Sequence, residues 1–280
     1  MIKWRILVQN KIAPEENMAI DEAILIGLEN GFSEPTIRFY DWNPPTVSFG
    51  YHQDAEKETD MARIFSKGYG LIRRPTGGRL VLHKNEITYA VIAPLADHLQ
   101  GNVIDVYSEV SQALAEGFRI MGIQVNFEKG SLSSREQREA HNPCFSSSSR
   151  YELSYQGKKI VGSAQVRKNN LFLQHGSILL DQNQSEVADL LPGLTQDQRN
   201  RLYQYLGKKT VSINEILENR ISYENAVTAM ISGFKKIWSN DSFSEVNQLN
   251  IYEQEKVSDL IREKYGTEQW TYHHGKKGLK

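Results

Sequence analysis

The 280-residue sequence predicts an α+β fold, with mixed, largely antiparallel sheets packed against helices and a small helical appendage at the C-terminal end. Three features predict it. Apolar residues recur at spacings of three and four in Pro14–Gly31 and Val103–Met121, the signature of amphipathic helices. Short apolar runs elsewhere are closed by Asn43-Pro44-Pro45, Gln156-Gly157 and Asn169-Asn170, turns that join neighbouring strands directly. Strands joined by turns rather than by crossover helices argue against a doubly wound parallel sheet.

The elements follow in order. Met1 to Gln9 contains Lys3 and Arg5 and lacks the apolar core and cleavage site of a signal peptide. Pro14 to Gly31 reads as a helix with Met18, Ala19, Ala23, Ile24 and Ile26 on its apolar face and Gly31 as its stop. Thr36 to Tyr40 and Thr46 to Tyr51 read as strands. Asp54 to Lys67 reads as a polar helix that buries Met61, Ile64 and Phe65. A short strand from Gly70 runs into the turn Thr76-Gly77-Gly78-Arg79, and Leu80–His83 and Ile87–Pro94 follow as strands. Val103 to Met121 is the clearest helix, and Gly122 ends it. Gly130 to Ser149 is poor in apolar residues and reads as a long loop, a kind that is often functional inside a compact domain. Tyr151–Tyr155 and Lys158–Val166 form a hairpin, and Leu171 to Leu180 is the next strand. From Ser185 the pattern turns helical, which divides the chain into a main domain, 1–181, and a helical extension packed on it, 182–280.

The formal net charge is −1, from 33 basic and 34 acidic residues, so nothing global points to nucleic acid. No apolar run approaches the roughly 20 residues of a membrane span, and the expected location is the cytoplasm. The single cysteine, Cys144, excludes an internal disulfide and a zinc site built on several thiolates. A lone cysteine is most often a small buried hydrophobe. Its place near the end of the long loop is what draws attention to it.

Three segments concentrate chemistry. In Arg73-Arg74-Pro75-Thr76-Gly77-Gly78-Arg79, paired glycines let backbone amides approach a ligand while arginines hold an anionic or carbonyl-bearing group. A surface turn with solvated arginines is the alternative. The segment lacks the Gly-Lys-Ser/Thr ending of a phosphate loop. His83 follows, as a base or a structural histidine. In Gly157-Lys158-Lys159-Ile160-Val161-Gly162-Ser163-Ala164, a cation stands beside small residues that leave room for a substrate, or a hairpin carries solvated lysines. No Gly-x-Ser-x-Gly elbow supports a serine hydrolase. In Leu171–Leu180, polar Gln174, His175 and Ser177 interrupt an apolar strand and need partners, in structure or in a site.

These segments resemble the biotin/lipoate protein ligase superfamily. Arg73-Arg74-Pro75-Thr76-Gly77-Gly78, ending in His83, is similar to its acyl-binding loop. Lys159-Ile160-Val161-Gly162-Ser163-Ala164 is similar to its lysine motif, and Arg38-Phe39-Tyr40-x-Trp42 and Ser48-Phe49-Gly50 also fit. Arg79 in place of a third loop glycine, Cys144-Phe145 ahead of Tyr151-Glu152-Leu153, and Leu173 to Asp181 look like the LipM type of octanoyltransferase. The resemblance runs from about Trp4 to Tyr272. Ser146 to Ser149 and Arg150 depart from the acidic or apolar content expected beside the cysteine.

The resemblance implies an acyltransferase catalytic domain over 1–181. Cys144 would carry an octanoyl group as a thioester, with Lys159 beside it lowering the thiol's pKa and moving protons. Arg73, Arg74, Thr76, Gly77, Gly78, His83, Gly162, Ser163 and Ala164 would bind substrate, with backbone amides near Gly77, Gly78 and Lys159 stabilising the oxyanion. The donor would be octanoyl-acyl carrier protein and the acceptor a lysine of a lipoyl-type domain such as glycine cleavage H protein. The enzyme would act as a monomer without metal or cofactor, since a thioester arrives already activated and needs no ATP. The alternatives are an ATP-dependent lipoate-protein ligase, an octanoyl amidotransferase between lipoyl domains, a non-catalytic acyl-binding regulator, and a cysteine hydrolase using His83 or His175.

Overall fold

Lys3 to Ile12 is the first strand (β1) of a six-stranded sheet in the computed structural model, which describes residues 1–128 and 152–273. The strand is buried at Trp4, Arg5, Ile6 and Leu7 in succession, so both faces are covered and the two-residue period that marks a half-buried strand is missing. The predicted loop Gly130–Ser149, with Cys144, lies outside the described residues.

Helix α1 (Pro14–Glu29) begins on a proline and stops before Gly31, whose φ of +77° suits glycine. Strands β2 (Thr36–Trp42), β3 (Thr46–Phe49), β4 (Gly70–Arg73), β5 (Val81–His83) and β6 (Glu86–Pro94) fall where expected. The predicted helix over 54–67 is corrected to two short ones, α2 (Ala55–Glu58) and α3 (Met61–Ser66). The reason is local capping. Asp54 accepts from the Glu56 amide, and Asp60 begins a new helix by accepting from the Arg63 amide. Ile64 is buried, whereas Phe65 is 52% exposed, contrary to expectation. Helix α4 (Val103–Ile120) starts with a capping box of Asn102 and Asp105 and buries Val106, Val110, Leu114 and Phe118.

Strand β7 (Asn126–Glu128) pairs with β8 (Glu152–Tyr155), and β8 with β9 (Lys158–Lys159), through a turn in which Gln156 and Gly157 both take positive φ. The strand expected over 158–166 is interrupted at Ile160. Its amide donates to Leu153 O, its carbonyl accepts from the Leu179 amide, and the chain passes from one sheet to another. Strand β10 (Val161–Lys168) then pairs with β11 (Leu171–Leu179). Lys159 therefore stands at the junction of two sheets.

The six strands run in the order β10, β11, β6, β2, β1, β12, where β12 is Ser242–Val246. The pairs from β10 to β2 are antiparallel, and β1 pairs parallel with both β2 and β12. The segment after residue 181 thus contributes a strand as well as helices, α5 (Gln196–Lys209), α6 (Ile213–Ile216), α7 (Tyr223–Ile237), α8 (Ile251–Leu260) and α9 (Glu268–Thr271). Ser242–Val246 is short, polar and at the sheet edge, which hid it from a pattern search. One face of the sheet packs on α4 and α7 around Phe39, Phe118 and Phe234, and the other on α1 and α8 around Ile20, Ile24 and Val257. No helix among the described residues is long and apolar enough to cross a membrane.

Candidate active site

Two cross-strand rows make the floor of a cleft on the α1 face of the sheet. Gly162, Ser177, Thr88 and Tyr40 form one row, and Ala164 and His175 begin the next, which continues through the buried Ala90 and Arg38. The cleft walls add Met18, Trp42, Ser48, Arg74, Val81, His83 and Lys159, and the space measures about 490 Å³ including its open mouth. The strand period of two explains the floor: alternate residues of Val161–Lys168 and Leu171–Leu179 face one side. Met18, Val81, Tyr40 and Trp42 give the cleft an apolar lining that suits an aliphatic chain, while Lys159 and Arg74 supply basic groups for a polar head.

The structure brings Arg74, His83, Lys159, Gly162, Ser163 and Ala164 together on this cleft. It places Arg73 elsewhere. Its guanidinium donates to the carbonyls of Gly50, Tyr51 and Gln53 at 3.1, 2.9 and 2.7 Å, and to those of Trp270 and Thr271 at 2.9 and 3.2 Å. Arg73 thereby ties the loop after β3 to α9, and it does not line the cleft. Arg74 is the arginine that shapes the site. It donates to Gly77 O (3.2 and 3.0 Å), Arg79 O (2.6 Å) and Ser48 Oγ (3.0 Å). Gly77 lines an adjoining surface groove with Tyr51, Gln165, Arg167 and Trp270. Gly78, at φ +96°, packs its carbonyl against Gly50 so closely that a Cβ on Gly50 would lie 2.1 Å from it. Thr76 is wholly buried.

His83 is held on every side. Its Nε2 lies 2.8 Å from Ser48 Oγ, its Nδ1 3.1 Å from Glu86 Oε1, and its ring stacks on Trp42 with centroids 4.4 Å apart. Trp42 Nε1 donates to Thr88 Oγ1 at 2.7 Å, and Thr88 in turn donates to Glu86. His175 forms a second set, with Nε2 2.6 Å from Thr76 Oγ1 and Nδ1 3.3 Å from Asp21 Oδ2. Asp21 also accepts from Arg38 at 2.8 Å and Tyr40 at 2.9 Å. Burial alone would raise the Asp21 pKa, but Arg38 and His175 more than offset it and hold the carboxyl below its ordinary value. Burial depresses the His175 pKa, with Asp21 opposing and Arg74 and His83 reinforcing, so the ring is neutral near pH 7. Ser163 Oγ meets Tyr89 OH at 2.7 Å, and Gln174 donates to that phenol at 3.0 Å.

Sequence reasoning did not reach Asp21, Glu86 or Thr88. Asp21 sits among apolar helix residues, and its signal would have been a carboxylate on a buried helix face. Gln174, His175 and Ser177 did signal themselves as polar interruptions. Ser177 Oγ is buried on the cleft floor with no hydrogen-bond partner among the described residues. Among those residues no group of three or more His, Cys, Asp or Glu is arranged to hold a metal ion.

The sequence matches the family model of the lipoyl protein ligase A/B catalytic domain over residues 13–235, which reaches past Asp181. The octanoyltransferase LipM of Anoxybacillus flavithermus is 39% identical over 274 residues, covering 96% of this chain and 98% of that protein. The octanoyltransferase LipM of Bacillus subtilis is 36% identical over 275 residues, covering 96% and 98%. Among solved structures, a bipartite lipoate protein ligase with its E2 lipoyl domain from Thermoplasma acidophilum superimposes with a TM-score of 0.80 at 21% identity, covering 100% of both chains. A lipoate-protein ligase A bound with ATP gives a TM-score of 0.78 at 22% identity, covering 98% of this chain and 100% of the other. These two likenesses show the fold, while the family model and the two near full-length relatives establish that this chain belongs to the lipoyl protein ligase A/B catalytic-domain family.

Proposed function

We infer that this chain is an octanoyltransferase of lipoate biosynthesis, and we propose that it works through an acyl thioester on Cys144. The observation that carries the proposal is the cleft: apolar Met18 and Val81 line it together with Lys159, at the sheet junction, and Gly162–Ala164. The near full-length likeness to octanoyltransferases supports it.

The reaction has two steps. The Cys144 thiolate attacks the carbonyl carbon of the octanoyl thioester, the donor's C–S bond breaks, and the carrier thiol leaves with a proton from Lys159. The neutral amine of the acceptor lysine then attacks the enzyme thioester. An amide C–N bond forms, Cys144 leaves as a thiolate, and the surplus amine proton returns to Lys159. Exchange between thioesters is nearly balanced, and amide formation pulls the sequence forward.

We propose octanoyl-acyl carrier protein as donor and a lipoyl-type domain, such as glycine cleavage H protein, as acceptor, with the chain acting as a cytoplasmic monomer. The pairing of a structural relative with its E2 lipoyl domain supports the acceptor class. A donor panel tests the reading. Octanoyl-acyl carrier protein is expected to modify the acceptor without ATP. Modification only with free octanoate and ATP contradicts it in favour of a ligase, and modification only from an octanoyl lipoyl domain in favour of an amidotransferase.

A further inference from the structure

We propose that Asp21 and His175 are positioning residues for acyl transfer, which hold Thr76 so that the Gly77-Gly78 amides stay in register with the Lys159 side of the cleft. The inference rests on the reading that these amides face the reacting carbonyl.

The chain of contacts fixes each proton. Asp21 is a carboxylate held by Arg38 (2.8 Å) and Tyr40 (2.9 Å), so it only accepts. His175 Nδ1, 3.3 Å away, therefore carries the ring proton. Nε2 is then bare and accepts the Thr76 hydroxyl at 2.6 Å, which fixes the Thr76 rotamer. The carbonyls of the same loop are also committed. Thr76 O accepts from the Tyr51 amide at 2.9 Å, and Gly77 O accepts from Arg74. In a planar trans peptide the N–H points opposite to the C=O. Pinning those carbonyls fixes the planes of the two peptides, and with them the directions of the Gly77 and Gly78 amides.

Tyr51 and Arg74 follow strands of the small β4-β3-β5 sheet, whereas Gly162–Ala164 belong to the six-stranded sheet. His175 pairs directly with Ala164 and touches Thr76 with its side chain, so it sets the distance between the two halves of the site. A misplacement of about 1 Å costs on the order of a hundredfold in rate, which makes a relay outside the reacting atoms worth building.

The experiment compares Thr76→Val, Thr76→Ser, His175→Gln and the Thr76→Val/His175→Gln pair in octanoyl transfer and by amide hydrogen exchange. Thr76→Val is expected to lower kcat at least about tenfold with KM for the donor changed less than about threefold, as loss of orientation rather than of binding predicts. Thr76→Ser should recover most of that loss, and the double variant should be no worse than its worse parent. Exchange at Gly77 and Gly78, which needs no substrate, should rise in Thr76→Val and not in Thr76→Ser. Losses that multiply in the double variant, a serine no better than valine, or unchanged exchange would overturn the relay. If His175→Gln does not fold, the valine–serine comparison still decides it. A wild-type protein that transfers no octanoyl group contradicts the functional reading instead, and the exchange measurement then judges the relay alone.

Discussion

Arg73 and Trp270 exchange hydrogen bonds across the chain: Arg73 Nε donates to Trp270 O at 2.9 Å, and Trp270 Nε1 donates to Arg73 O at 3.0 Å. The pair ties the strand that enters the Thr76-Gly77-Gly78 loop to the last helix of the described chain. Arg73→Ala removes a buried guanidinium that donates to five carbonyls, of which Gly50 O keeps the Gln53 amide, and is expected to destabilise the fold by about 2–4 kcal/mol. Thermal unfolding checks it. Unchanged stability together with a raised KM for the donor would return Arg73 to the substrate.

Gly50 and Gly77 make a matched comparison. A Cβ on Gly50 meets Gly78 O at 2.1 Å, whereas one on Gly77 meets nothing within 4 Å. Gly50→Ala is expected to cost about 1–3 kcal/mol through overpacking, and Gly77→Ala to change stability little. Equal urea midpoints for the two variants would contradict the packing described for the loop.

Lys159 is half-buried at the cleft, so its removal touches chemistry more than folding. Lys159→Ala is expected to lower transfer by about 10²–10⁴-fold, the usual worth of a positioned proton donor, with a melting curve close to the parent's. Lys159→Arg should not restore it, because a guanidinium keeps its proton near neutral pH. Activity within tenfold of the parent in both variants would remove Lys159 from the mechanism.

Acid stability follows from His175 and Asp21. Burial lowers the His175 pKa below its ordinary 6.5, so below that pH the unfolded chain binds more protons than the folded one. Its contribution is fully present above 6.5 and is lost as the pH falls through the folded value. The share from Asp21, lowered from 3.8, is present above 3.8 and is lost only below it. Urea unfolding at pH 7.5 and pH 5.5 should show a loss for the parent and a smaller loss for His175→Gln. Equal losses would place the acid sensitivity elsewhere.

What the sequence made legible follows physical lines. Amphipathic period marked α1 and α4, and the Gln156-Gly157 pair between two strands marked the turn, where both residues take positive φ. Lys159 and Gly162–Ala164 were recognisable as a cation beside small residues. The break at Ile160 was not, because it falls inside the apolar pair Ile160-Val161 and only the Leu153 and Leu179 contacts divide the segment there. The two arginines of Arg73-Arg74 look alike in sequence, and the alternation of side chains along a strand sends them to different tasks. Asp21 reaches His175, 154 positions along the chain, and Glu86 reaches His83 across a turn, which a local pattern does not reveal.

The central claim is that Cys144 carries the acyl group, and intact-protein mass spectrometry tests it most directly. Mixed with octanoyl-acyl carrier protein and no acceptor, the enzyme is expected to gain the mass of one octanoyl group, mapped by proteolysis to Cys144 and absent in Cys144→Ala. Addition of a lipoyl-type domain should discharge it onto a lysine. Full acceptor modification by Cys144→Ala, with no adduct on the parent protein in a single turnover, would contradict the account.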